Sequence, residues 1–333
     1  MLAVMPSVRR LRCGLLLPLL LVAACSARPS LAPPTIPAAE PAVSPAGTQH
    51  PAGTVRPLTG TATGAVFDAG TLVALRADAT VSLFGATTGS LALPGPATAL
   101  TGDGHGVVYL SSRGGYFRVE PATRQVSRVD VTDAADVDFT AITRRSDGTL
   151  VLGSADGAVH TLTADGLRTA AVAKIFARVD QLVAQGDIVA VLDRGQTSVT
   201  TIGADGKPQY ALRAGQGATT LSASADGPLL AADTRGGQLM VYGMDPLILR
   251  QAYPVPQSPY GVAGSGGLAW VSQTADNTVI GYDLATGIPV ERVRYPTVQQ
   301  PNTLAYDDKS DTLYVVSGSG AGVQVIEHAA GRH

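Results

Sequence analysis

A short turn sequence recurs along the chain at intervals of about 40 residues, and this period restricts the fold more than any other feature. Each copy places an apolar or aromatic residue shortly before turn-forming residues. The copies begin at Phe84, Val119, Leu162, Ile202, Tyr242, Tyr282 and Ile326. Short strands at this period, with no helical pattern between them, are typical of a β-propeller with four-stranded blades. The seven copies predict an all-β, seven-bladed β-propeller over residues 59–333.

The segments between the turns have the lengths and patterns of single strands. Ile188–Leu192, Leu229–Ala232 and Leu268–Val271 are continuously apolar, as expected for a strand that is buried on both faces. Val323–Ile326 alternates between apolar and polar residues. We therefore assign the continuous runs to the second, buried strand of a blade and the alternating runs to the third strand.

The last repeat is too short for a complete blade. After its third-strand turn, only Gly331, Arg332 and His333 remain. A blade without its fourth strand would expose a row of unpaired backbone groups. Residues 53–59 precede the first blade and could supply that strand, because an outermost strand tolerates Pro57. The sequence therefore predicts that residues near 53–59 pair with the last blade and close the ring.

The first 24 residues have the organisation of a secretory signal peptide. Arg9, Arg10 and Arg12 form a positive start, and the apolar run from Leu15 to Ala24 follows. This run is too short to span a bilayer, which needs about 20 residues. A charged start, a short apolar run and small residues before a cleavage point predict export. The adjacent Arg9 and Arg10 leave both the Sec and the Tat export routes open.

The sequence from Leu21 to Cys25 resembles the bacterial lipobox, in which small residues precede a cysteine that is lipidated. The resemblance implies that Cys25 becomes the first residue and carries the lipid. The alternative is ordinary cleavage after Ala24, with Cys25 incidental. The other cysteine, Cys13, lies in the signal peptide, so the propeller has no disulfide and no thiolate metal site.

Residues 25–58 are predicted to be the lipidated cysteine and a Pro-rich linker. Prolines recur among Ala, Ser and Thr, a composition that favours extended polyproline II and cannot build a core. Such a segment would hold the propeller away from the membrane. We therefore expect the protein on the outer face of the cell membrane, held there by its lipid.

The stretch from Tyr260 to Gly287 carries a family resemblance, together with Pro301–Leu304 and Thr312–Val316. These segments resemble the YVTN/YncE-type repeat, closely in the last three blades and loosely in the first four. A lipobox, a Pro-rich tether and a propeller together also resemble lipoproteins of mycobacteria and related actinobacteria. The resemblance implies a binding scaffold in the bacterial envelope.

The composition and motifs favour binding over catalysis. The formal charge is −2 with no basic stripe, which argues against nucleic acid. There is no nucleophile elbow, no zinc-protease helix motif and no phosphate-binding loop, and the five histidines do not cluster in the repeat. The acidic loop Asp130–Asp138 could hold Ca²⁺, but its spacing does not match an EF-hand, and a solvated connection is the simpler interpretation. We predict no metal, no cofactor and no enzymatic activity.

Charged residues recur in the turns between second and third strands, which lie on the same face of a propeller as the connections between blades. Asp and Gly are common in any turn, whereas the repeated Arg is not explained by turn chemistry. The predicted ligand or partner face consists of Arg76, Arg113, Asp156, Asp193, Arg194, Asp233, Arg235, Tyr260 and Asn302. Solvated turns with ion pairs between blades are the alternative interpretation.

The sequence thus predicts a membrane-anchored extracytoplasmic lipoprotein whose propeller is a non-catalytic binding or scaffold module. Arg and Tyr at a channel mouth suit a polar, anionic ligand or an envelope protein. The alternative function is that of a lactonase-like or other hydrolase at the channel mouth. Several carboxylates converging there with Asn or His would favour the hydrolase, and a mouth of mixed charge would favour binding.

Overall fold

A computed structural model describes residue 2 and residues 34–47, 50–224, 227–265 and 267–331. The predicted signal peptide and Cys25 lie outside the described residues, apart from Leu2. In the described part of the chain, no helix has the length and apolar character of a membrane-spanning segment. The described residues from 34 to 331 belong to one compact unit.

The strands form seven antiparallel four-stranded sheets, the blades of a β-propeller, as predicted. The innermost strands are β2 (Ala62–Asp68), β6 (Leu100–Gly102), β10 (Phe139–Arg144), β14 (Gln181–Gln185), β18 (Ala218–Ala223), β22 (Pro259–Gly264) and β26 (Pro301–Asp307). The second strands are β3 (Thr71–Arg76), β7 (Val108–Ser112), β11 (Leu150–Ser154), β15 (Ile188–Asp193), β19 (Leu229–Asp233), β23 (Leu268–Gln273) and β27 (Thr312–Ser317).

The outer halves of the blades follow the same order. The third strands are β4 (Thr80–Gly85), β8 (Gly115–Glu120), β12 (Ala158–Leu162), β16 (Ser198–Ile202), β20 (Gln238–Met244), β24 (Thr278–Asp283) and β28 (Val323–Ile326). The outermost strands are β5 (Gly89–Ala92), β9 (Gln125–Asp130), β13 (Thr169–Lys174), β17 (Pro208–Arg213), β21 (Leu247–Pro254), β25 (Val290–Pro296) and, in blade seven, β1 (Thr54–Arg56).

Burial follows the position of a strand within its blade. Every residue of β11 and β19 is buried, whereas β17 is exposed along nearly all of its length. The second strands are mainly apolar because both of their faces pack against neighbouring blades. Between blades six and seven, for example, the ring of Trp270 stacks on the rings of Tyr295 (6.5 Å) and Tyr306 (5.8 Å). The core is therefore a series of apolar layers between blades.

The ring closes as the sequence predicts. Strand β1 pairs with β28, with Thr54 opposite Val325 and Arg56 opposite Val323. The side-chain amide of Gln324 also donates a hydrogen bond to the carbonyl oxygen of Ala52 (2.8 Å). The N-terminal side of the domain therefore completes the last blade, and both ends of the propeller chain are held in one sheet.

Candidate binding face

The two faces of the propeller differ in which loops they carry. The upper face is the one that holds the turns between second and third strands and the connections between blades. The opposite face is the lower face. The inner strands surround a central channel of about 890 Å³, lined mainly by Thr, Ala, Leu and Gly. Its charged lining residues among those described are Arg144 towards the lower face and Arg178, Asp180 and Arg194 towards the upper face. The upper mouth is therefore the more highly charged of the two.

At the upper mouth, the carboxylate of Asp180 contacts the side chain of Arg178 and the backbone of Arg194. Arg178 Nε is 3.2 Å from Asp180 Oδ1, and the backbone N–H of Arg194 donates to Asp180 Oδ2 (2.8 Å). Burial raises the pKa of the Asp180 carboxyl, and the hydrogen bond from Arg194 and the positive charges of Arg178 and Arg194 oppose that rise. Sequence reasoning missed Arg178 and Asp180 because it considered the turns inside each blade and the connections before β22 and β26, and not this connection before β14.

Three of the predicted face residues do reach the channel. Arg194, Tyr260 and Asn302 all line it, from blades four, six and seven. Burial raises the pKa of the Tyr260 phenol, so it remains a neutral hydrogen-bonding group at physiological pH. The side-chain oxygen of Asn302 accepts a hydrogen bond from Gln300 Nε2 (3.0 Å). The upper mouth thus combines two arginines with neutral polar groups.

Two predicted aspartates are buried and bind the protein's own backbone. Asp193 accepts hydrogen bonds from the N–H groups of Ala177 (2.7 Å) and Gln196 (2.9 Å). Asp233 accepts from Gln216 (2.9 Å), Gly217 (2.8 Å) and Gly236 (2.9 Å). Each carboxylate therefore ties the connection before its blade to the turn between its second and third strands.

The remaining predicted residues lie away from the channel. Arg76 is paired with Asp78 in its own turn. Arg113 lies 3.4 Å from Asp136, and both side chains are exposed. Asp156 accepts a hydrogen bond from Lys174 Nζ (2.6 Å), an interaction that lowers the pKa of the carboxyl. These residues lie in solvated turns, as in the alternative interpretation, but the pairs Arg76–Asp78 and Asp156–Lys174 lie within one blade and not between blades.

The Pro-rich residues 34–47, which we call the strap, lie across the upper face from blade four to blade seven. The N–H of Ile36 donates to the carbonyl oxygen of Gly195 in blade four (2.8 Å). The N–H of Ser44 donates to Gln300 Oε1 in the connection to blade seven (3.0 Å). Over these residues the segment does not extend away from the propeller, because the upper face supplies partners for its backbone.

Two of the predicted face arginines hold the strap. Arg194 Nη2 donates to the carbonyl oxygen of Ala39 and to Glu40 Oε1, the latter at 2.8 Å. Arg235 Nη2 donates to the carbonyl oxygen of Pro37 (2.6 Å). Two of the four arginines that the sequence assigns to a ligand are therefore occupied by a segment of the same chain.

The acidic loop Asp130–Asp138 does not gather its carboxylates. Arg128 donates to Asp130 (2.8 Å), and the backbone N–H of Thr169 donates to Asp133 (3.2 Å). Across the described residues, no three His, Cys, Asp or Glu side chains are arranged so that they could share a metal ion. His160 packs edge-on against Phe139, with ring centres 5.2 Å apart, and burial lowers the pKa of its imidazole.

Solved structures similar to this chain share its propeller fold. A streptogramin B lyase superposes with a TM-score of 0.67 at 12% identity and covers 82% of this chain and 97% of its own. Virginiamycin B lyase from Staphylococcus aureus gives 0.65 at 15% identity, with 80% and 96% covered. A chain of a mitotic checkpoint complex gives 0.71 at 11% identity, with 88% and 96% covered. The shared feature is the seven-bladed β-propeller.

At these identities, the similarity shows the fold alone. No protein-family model and no curated protein matches the chain. The YVTN/YncE-type resemblance of the last three blades therefore stays a prediction.

Proposed function

We propose that this protein is an extracytoplasmic lipoprotein, anchored through Cys25, whose propeller is a non-catalytic binding module. The upper channel mouth binds a polar, anionic group, which belongs to a small molecule or to an envelope protein. The observation that carries the binding part is the half-exposed guanidinium of Arg178, which lies 3.2 Å from Asp180 at the channel mouth.

The chemistry of the mouth supports an anionic ligand. Arg178 is half exposed, so its guanidinium can exchange Asp180 for a carboxylate or phosphate of a ligand. Tyr260 and Asn302 add neutral donors and acceptors that can orient such a group. A channel of about 890 Å³ is within the usual size range of small-molecule sites.

A hydrolase at the same mouth is the second candidate. One observation favours it: the raised pKa of Asp180 is a property of some catalytic acids. A hydrolase, however, is predicted to have several carboxylates together with Asn or His at the channel mouth. Among the described residues that line the channel, Asp180 is the only carboxylate and there is no His. Binding is therefore the better-supported function.

The anchor is supported by sequence. Cys25 follows small residues and precedes the Pro-rich segment, as in lipoproteins. Stable anchoring requires about two lipid signals, and the two chains of a diacylglyceryl group would supply them.

One experiment with two readouts tests the proposal: membrane fractionation, followed by affinity capture from the detergent-solubilised envelope. We expect Cys25→Ala to leave the membrane fraction or to remain unprocessed. We expect Arg178→Glu to capture at least tenfold less of the ligand or partner, because a negative charge would then face the anionic ligand. Arg144→Glu is the matched control, since it reverses an arginine towards the other end of the same channel.

Two outcomes would contradict the proposal separately. A processed Cys25→Ala protein that stays in the membrane would refute the lipid anchor. Equal loss of capture by Arg178→Glu and Arg144→Glu would refute the assignment of the upper face. Arg194 and Arg235 are less suitable for this test, because reversing them also removes the contacts that hold the strap.

A further inference from the structure

We propose that the part of the upper face beneath the strap is a peptide-binding groove, and that the strap is its resident competitor. The groove would accept an extended, proline-rich peptide segment with one carboxylate. This goes beyond the proposed function, because the groove runs over the rim of blades four to seven and shares only Arg194 with the channel mouth.

The groove recognises an extended backbone. The strap donates from the N–H of Ile36 to Gly195 O (2.8 Å) and from the N–H of Ala42 to Ser258 Oγ (3.0 Å). In return, Gln300 Nε2 donates to the carbonyl oxygen of Ala42 (3.0 Å). Such main-chain contacts give affinity to any peptide of the same conformation, whatever its side chains.

Two positions of the groove select small side chains. Ala39 is 6% exposed and lies against Gly217, where an added Cβ would be 2.9 Å from the Ala39 Cβ. Ser44 is 4% exposed and its hydroxyl donates to the carbonyl oxygen of Thr274 (2.6 Å). Val43, by contrast, is 90% exposed, so the groove does not select the side chain at this position. The spacing of these positions therefore sets the register of a bound peptide.

Proline suits the remaining positions. Pro37, Pro41 and Pro45 recur at every fourth residue of the strap. Arg235 and Asn277 donate to the carbonyl oxygens of Pro37 (2.6 Å) and Pro45 (2.9 Å), so these contacts do not need the N–H that proline lacks. A proline-rich peptide is already extended, which lowers the entropy lost on binding.

The strap does not use all the donors of its groove. Arg194 contacts the strap through Nη2, whereas its buried Nε has no hydrogen-bond partner in the described structure. A carboxylate that met Nε and Nη2 together would form the stronger, bidentate pair. A partner's peptide with an acidic residue in that geometry can therefore displace the strap.

Peptide binding in trans to the purified full chain tests the proposal. The probe is a fluorescent synthetic peptide with the sequence of residues 34–47. The variant Ala39→Arg/Ser44→Arg cannot seat its own strap, because two long cations replace the two small buried side chains. Val43→Arg is the matched control, since its side chain is exposed to solvent.

We expect the double variant to bind the peptide saturably, with a Kd at least tenfold lower than that of the wild type or of Val43→Arg. A tethered competitor acts at an effective concentration on the order of millimolar, which explains the weaker binding of those two proteins. A peptide with Glu40→Arg should not bind the double variant, and Arg194→Glu in that variant should restore its binding.

Absence of saturable binding by the double variant, with its melting temperature unchanged, would overturn the proposal. Equal binding by all three proteins would also overturn it, because the strap would then not be a competitor. The assay contains no membrane and no envelope extract, so its outcome is independent of the anchor and of capture at the channel mouth.

Discussion

In several blades, the last residue of the second strand has a structural role at the upper face. Asp233 accepts three backbone hydrogen bonds, and Ser317 Oγ donates to the carbonyl oxygen of Gln299 (2.7 Å). Gln273 Nε2 likewise donates to the carbonyl oxygen of Pro256 (2.7 Å). In each case the side chain reaches the connection that leads into its own blade. The recurrence of polar residues at this position is therefore explained by loop attachment in several blades.

At the residue scale, we predict that Asp233→Ala lowers the free energy of unfolding by about 3 kcal/mol. Three backbone N–H groups lose their acceptor, and each buried unsatisfied group costs about 1–3 kcal/mol, without full additivity. Asp276→Ala is the control, because Asp276 is exposed in the equivalent turn of blade six and should change stability by less than about 0.5 kcal/mol. Denaturant unfolding measures both; similar losses would contradict the attachment role.

At the scale of elements, the closing strand β1 links the two ends of the ring. Just before it, Gly53 has a φ of +68°, and a Cβ there would lie 3.1 Å from the carbonyl carbon of Val325 and 3.2 Å from Ile326 Cα. Only glycine tolerates both this φ and this approach of two backbones. The closure thus depends on one glycine as well as on the three paired residues of β1.

We predict that Gly53→Val destabilises the protein by several kcal/mol and lowers its melting temperature. Gly104→Val separates the cost of the positive φ from the cost of the contact with β28. Gly104 has a φ of +78° but open space around its Cβ position. This control should lose only about 1–2 kcal/mol, the usual cost of a left-handed residue. Equal melting temperatures for the two variants would show that the contact with β28 contributes nothing.

The blades and the closure could be predicted from sequence because both follow from local patterns. Apolar runs identify β15, β19 and β23, and the shortness of the last repeat requires a strand from elsewhere. The docking of residues 34–47 could not be predicted in the same way. Proline content determines a segment's local conformation, but the surface it meets depends on Gly195, Ser258 and Gln300, which are far away in sequence.

The candidate site was predictable in part for a similar reason. The repeated turn placed Arg194 on the upper face, the connections between blades placed Tyr260 and Asn302 there, and all three residues line the channel. Arg178 and Asp180 belong to a connection between blades, where length and sequence vary and no repeat position marks them. Which turns reach the channel depends on the course of each connection, and this is a property of the folded ring.

At the scale of the whole molecule, the N-terminal segment joins three parts of the propeller. The strap crosses the upper face, residues 54–56 complete blade seven, and Leu58 packs into the apolar layer between blades seven and one. Arg194 lies both at the channel mouth and beneath the strap. Occupancy of the groove and of the mouth can therefore be linked through this single side chain.

Hydrogen exchange at single-residue resolution tests most directly the central claim that the strap occupies the upper face. In the wild-type chain, the amides of Ile36, Ala42 and Ser44 donate to that face and should exchange at least tenfold more slowly than in an unstructured peptide. Arg194→Glu, which places a like charge against Glu40, should abolish this protection, and Arg113→Glu should retain it. Exchange of the three wild-type amides at the unstructured rate would contradict the account.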